Sequence, residues 1–137
     1  MLFPMRSLLL AFFPLLILSS CNRGSKVPVT SSKATITFDV QEHDFGDSVE
    51  HDNPVDYDFV FHNTGSTPLV IHKAITGCGC TKISYDREPI GPGEEGKVHV
   101  TYLADNGNGL FSHFIAVYSN GADSTGFTSL HIQGIVR

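Results

Sequence analysis

"VDYDFVF", Val55 to Phe61, is where the fold of this 137-residue chain is decided. Val55, Tyr57, Phe59 and Phe61 alternate with Asp56, Asp58 and the following His62, with Val60 as the exception. Successive side chains of an extended chain point to opposite sides, so this spacing predicts a strand with one buried face. "KVHVTYL" repeats the pattern, with Val98, Val100 and Tyr102 on one face and Lys97, His99 and Thr101 on the other. In "LHIQGIV", Leu130, Ile132 and the less bulky Gly134 line up in the same way.

"ATITFDV" near Ala34 to Val40, "LVIHKA" at 69–74, "TKISY" at 81–85 and "LFSHFIAVYS" at 110–119 complete about seven strands. Between them stand "HNTGSTP" at 62–68, "GPGEEG" at 91–96, "ADNGNG" at 104–109 and "SNGADSTG" at 119–126. These breaks supply glycine and asparagine for positive φ, and in the first two proline for a fixed one. No ten-residue window has helical periodicity. The expected fold is all-β, an immunoglobulin-like antiparallel β-sandwich. There is no tryptophan, and no cysteine pair placed to link two sheets, so an antibody-type domain is not expected. The predicted core is Phe38, Phe45, Tyr57, Phe59, Phe61, Tyr102, Phe114 and Tyr118.

The chain opens differently. "MLFPMRSLLLAFFPLLILSSC" carries one positive charge, Arg6, and then an apolar run from Leu8 to Leu18 broken by Pro14. The run is too short to read as a permanent membrane span. Its end, Leu18-Ser19-Ser20-Cys21, resembles the lipobox of bacterial lipoprotein signal peptides at all four positions. The expectation is a signal peptide at 1–20, a lipidated Cys21 with a flexible tether to residue 33, and one domain over 34–137. The tether residues Asn22 to Ser32 reach at most about 35 Å when fully extended. No acidic cluster follows Cys21, so the domain is expected to face the periplasm, on the outer membrane rather than the inner.

Fourteen acidic side chains stand against nine basic ones, a net charge of −5, and no basic run occurs. Without the leader and its Arg6, the charge is near −6. Such a domain repels phosphate backbones, which argues against a nucleic-acid partner. The expected contacts are the membrane, through the lipid on Cys21, and a protein of the cell envelope.

"FVFHNTGSTPLVI", "GCGCT", "PIGPGEEGKVHVTY", "GLFSHFIAVYSN" and "LHIQGIV" occur in this order between Phe59 and Val136. Together they resemble the bacterial family known as domain of unknown function 1573 (DUF1573), of the Hydin-like immunoglobulin group and common in lipoproteins of Bacteroidetes. The resemblance covers about 34–137. It implies an immunoglobulin-like sandwich outside the cytoplasm, and it implies no activity. The family pattern includes the Cys-Gly-Cys-Thr step, here Cys78 to Thr81.

Cys78 and Cys80 leave four readings open. A disulfide needs α-carbons about 4.4 to 6.8 Å apart, which a bend at Gly79 brings within range, and an oxidising compartment favours the bond. Closing so small a loop adds little global stability and leaves the ring strained and reducible. Two thiolates also suit Cu(I) or zinc, with His72, on the strand leading into the turn, or His62 as a further ligand. A thiol oxidoreductase is a poorer match, because the spacing is one residue and no helix follows. Two inert, packed thiols are the fourth reading.

No nucleophile elbow occurs, so no catalytic residue is expected, and no cofactor is called for. "DNGNG" at 105–109 lacks the later glutamate of a calcium loop and reads as a hairpin turn. "EHDFGDSVEHD", Glu42 to Asp52, reads as a solvated connection at the sandwich end. The expected function is a non-catalytic, lipid-anchored binding or scaffolding module, with metal or redox handling at Cys78 and Cys80 as the alternative.

Overall fold

The computed structural model describes residues 32–137 apart from Ser48 and Asn106. The leader, Cys21 and nearly all of the tether therefore lie outside the described residues. The described residues form eight strands: β1 (Ile36–Phe38), β2 (Glu42–Asp44), β3 (Val55–Asn63), β4 (Ile71–Thr76), β5 (Thr81–Tyr85), β6 (Glu95–Tyr102), β7 (Gly109–Ser119) and β8 (Phe127–Val136). They make two four-stranded sheets, ordered β1-β3-β6-β5 and β2-β8-β7-β4. The all-β sandwich expected from the alternation is what the chain forms.

The inner faces follow the pattern in three strands. Phe59 and Phe61 of β3, Val98 and Val100 of β6, and Leu130 and Ile132 of β8 are completely buried. Each such side chain stabilises the fold by roughly 1.5–3 kcal/mol relative to exposure. Gly134 also faces inward, because the Phe111 ring lies over it, where a Cβ would come within 2.7 Å of that ring.

β7 runs in the opposite phase to the one expected. Phe111, Ile115 and Val117 are buried, whereas Phe114 is 64% exposed and Tyr118 lies outside the core cluster. The partner strand decides this. Phe111 pairs with Gly134, His113 with Ile132, and Ile115 with Leu130, and directly opposed residues share a face. Once Leu130 and Ile132 are inside, His113 must be inside too.

Three further details differ from expectation. There are eight strands because Glu42–Asp44, read as part of a solvated connection, pairs with β8. That pairing is parallel, so the sandwich is not wholly antiparallel; three residues are too few to display a period. Finally, 105–109 is not a hairpin. It carries the chain from β6 in one sheet to β7 in the other, with Gly107 and Gly109 at positive φ.

The strand directions give the sandwich two distinct ends. At one end Ile36 pairs with Asn63, and Lys33 Nζ donates to the Ala122 carbonyl, so the chain enters the domain there. At the other end Thr81 and Val55 both pair with Tyr102, and Gly109 pairs with Val136.

Candidate functional site

Thr76 to Thr81 crosses between the sheets, from β4 to β5, at the end remote from chain entry. The crossing is held by its own backbone: Thr81 N–H donates to Cys78 O at 3.3 Å and Leu103 N–H to Cys80 O at 2.7 Å. Cys78 and Cys80 have their α-carbons 5.2 Å apart, inside the range that a disulfide requires, and their sulfurs lie at bonding distance. The bend that achieves this needs no positive φ at Gly77 or Gly79.

The two sulfurs have different surroundings. Cys80 is 5% exposed and belongs to the core, whereas Cys78 is half-buried at its edge. The backbone N–H of Cys80 donates to Cys78 Sγ at 3.1 Å. Cys80 Sγ lies 3.8 Å from Thr81 Oγ1 and 3.6 Å from His113 Nε2.

His113 reaches the cysteines from the opposite sheet. Its ring packs beside Tyr102, at 5.5 Å between centroids, and Tyr102 itself stacks on Phe111 at 3.9 Å. Burial holds the imidazole below the usual histidine range, and the nearby His131 acts in the same direction. The ring also lines an open pocket with Tyr102, Gly107 and Phe111. Cys78, Cys80 and His113 bring their ligand atoms within 4.8 Å of one another. Among the described residues this is the grouping whose donors converge in the manner of a metal site.

The histidines favoured from sequence are elsewhere. His72 is exposed on β4, where its carbonyl accepts from the Tyr85 hydroxyl at 3.3 Å. His62 is half-buried on β3 and lies 3.1 Å from Asp39. Neither joins the converging group. His113 was missed because its strand was read in the wrong phase. The spacing Phe111, Ile115, Val117 held the signal.

A second arrangement lies on the outer face of β7, beginning at Ser112 beside His113 in the chain. Ser112 Oγ is 2.8 Å from His131 Nε2, and His131 Nδ1 is 3.1 Å from Glu42 Oε1. The order resembles a nucleophile, base and acid, but Ser112 sits mid-strand in the ladder. It has neither the sharp turn nor the helix N-terminus that gathers N–H donors for an oxyanion. The Phe114 ring stacks on His131 at 4.4 Å. The three side chains form a surface hydrogen-bond chain across β2, β8 and β7.

A family model described as "Protein of unknown function (DUF1573)" matches residues 36–136. The chain belongs to that family. No curated protein sequence matches it. Among solved structures, a protein of unknown function from Porphyromonas gingivalis W83 aligns with a TM-score of 0.64 at 13% identity, over 81% of this chain and 51% of that one. This chain thus spans about half the length of the Porphyromonas protein. The ASH/PapD-like domain 7 of human CEP192 aligns at 0.62 and 12%, over 77% of this chain and 87% of the domain. The secreted serine protease VesC of Vibrio cholerae aligns at 0.57 and 13%, over 74% of this chain but 23% of its own. At these identities the likeness establishes the sandwich fold and carries no activity across.

Proposed function

We propose that this DUF1573 protein is a non-catalytic docking module of the cell envelope. Its lipid is carried on Cys21, its body faces the periplasm, and its membrane is the outer one. It takes hold of an envelope protein through the outer face of the β2-β8-β7-β4 sheet.

The contrast between the two outer faces carries this reading. On the β1-β3-β6-β5 sheet the outer face is charged and self-satisfied: Asp58 meets Lys97 at 3.2 Å and His99, and His62 meets Asp39. On the opposite sheet, Leu110 is 78% and Phe114 64% exposed, flanked by Ile75, Phe127 and Ile135 at about 40% each. Leu110 pairs with Ile135 at one end of this face, and Phe114, Ile75 opposite Ala116, and Tyr118 opposite Phe127 gather at the other, with the Ser112–His131–Glu42 chain between them. Large exposed apolar side chains grouped on one face, as around Phe114, mark interaction sites. The occupant that suits it is a protein presenting an aliphatic or aromatic surface.

The test is site-directed photocrosslinking in cells, with the probe at Phe114 or Leu110 against a probe at Asp58. A defined crosslinked species from the apolar face alone, lost in Leu110→Ser/Phe114→Ser, supports the proposal. Equal crosslinking from both faces, or none, counts against it. The anchor is tested separately by metabolic labelling with a radioactive fatty acid, which Cys21→Ser must abolish.

A further inference from the structure

We propose that reduction of the Cys78–Cys80 bond opens a Cu(I) site made by the two thiolates and His113 Nε2. The disulfide is then the closed form of a soft-metal clip. The inference is independent of the docking proposal and needs neither the anchor nor a protein partner.

The donor set argues for the ion. Two thiolates and one imidazole are soft to borderline ligands, which select Cu(I) and zinc over hard cations. Their atoms already lie within 4.8 Å of one another, so one ion can bridge them after a small separation of the sulfurs. Among the described residues the convergent group contains three donors. Three suffice for Cu(I), whereas zinc takes four and would keep a water. The surroundings suit the lower coordination number, because Cys80 is buried and the stacked Tyr102 and Phe111 rings flank His113. The ligands are also well supported: two come from a crossover pinned at Leu103, and the third from a strand in the middle of the other sheet.

Opening the site is a balanced thiol–disulfide exchange with an external dithiol as reductant. Its thiolate attacks Cys78 Sγ, the more accessible sulfur, forming a mixed disulfide and releasing Cys80 as a thiolate beside His113. The second thiol of the reductant then displaces Cys78 and leaves with its partner as a disulfide. Two electrons and two protons have passed to the cysteines. Cu(I), supplied already in the cuprous state, displaces the two thiol protons and binds without further electron transfer.

The test uses the whole chain in detergent, with Cys21→Ser in every arm so that a third thiol cannot contribute. After anaerobic reduction and removal of the reductant, Cu(I) is titrated in competition with a chromophoric Cu(I) chelator. One equivalent should bind to the reduced chain and none to the oxidised chain. Cys78→Ser/Cys80→Ser should abolish binding. His113→Gln should weaken it by at least about tenfold, a loss that even an outer-shell partner can cause. His72→Gln should leave it unchanged. X-ray absorption of the loaded wild type should show two sulfur ligands and one nitrogen, a readout that survives if a His113 variant misfolds. An all-sulfur shell, equal binding by the oxidised chain, unchanged affinity in folded His113→Gln, or preference for Zn(II) would each overturn the proposal.

Discussion

At Asn63 the chain buries an amide completely at the end of β3, and both ends of that amide are used. Nδ2 donates to the carbonyls of Thr67 at 2.8 Å and Ile90 at 2.9 Å. Oδ1 accepts from the backbone N–H of Gly65 at 3.0 Å and of Thr35 at 3.4 Å. One side chain thus ties together the entering chain, the β3–β4 crossing and the loop before β6. Truncation strands two carbonyls, at about 1–3 kcal/mol for each buried group left unpaired. Asn63→Ala is therefore expected to lose about 3 kcal/mol or more in chemical denaturation. A loss below about 1 kcal/mol would show that water replaces the amide. In the sequence this residue is part of "HNTG" and reads as a turn former; nothing local marks it as a buried hub. His43 gives a second prediction. It stacks on Tyr57 at 3.6 Å, and burial lowers its pKa against the opposing pull of Asp44. Its folded pKa lies below the unfolded value of about 6.5, so between the two the unfolded chain binds more protons. Stability from this group is complete above about pH 6.5 and falls as the pH drops through that window. The denaturation midpoint of wild type minus that of His43→Gln should decline between pH 7.5 and 5.5, and a flat difference would exclude the effect.

At the scale of single elements, β7 is the informative case. "LFSHFIAVYS" has large side chains in both phases, so alternation alone cannot say which face is inside. Its neighbour β8 is unambiguous, and the register between them transfers that certainty. The phase was therefore legible in the pair of strands, although not in β7 by itself. The same step would have brought His113 inward and to the cysteines. The difference between the two phases can be measured: Phe111→Ala should cost about 3–5 kcal/mol as a core truncation. Phe114→Ala, on the exposed face, should stay within about 0.5 kcal/mol. Comparable losses in thermal or chemical unfolding would contradict this assignment of faces. β2 failed for another reason: a three-residue strand is set by its neighbour's free edge and leaves no periodic trace of its own.

Across the whole molecule, fold class and family could be read from period-two alternation and five sequence blocks, and the family match and the sandwich agree with them, whereas the strand count fell one short at β2. The connections were less legible. Turn residues such as those at 105–109 announce that the chain bends, but they do not say whether the next strand joins the same sheet or the other. Five of the seven connections change sheets, and one of those changes, between β4 and β5, creates the only described meeting of cysteines with a histidine. The proposed docking face and the thiol site adjoin on β7: Leu110 and His113 line the same open pocket, and Phe114 follows His113 in the strand. Neighbouring sites can couple, so the Leu110→Ser/Phe114→Ser variant is also assayed for Cu(I) binding, and the Cys78→Ser/Cys80→Ser variant for crosslinking.

The opposed ends of the sandwich give the molecule a direction. The chain enters beside Asn63 and Ala122, and the cysteines lie at the far pole, beyond a nine-residue strand of about 30 Å. If a lipid holds Cys21, the tether joins the near pole, and the thiols sit at the pole farther from the attachment. A reductant or Cu(I) arriving from solution would then meet Cys78 at the end of the body opposite its attachment.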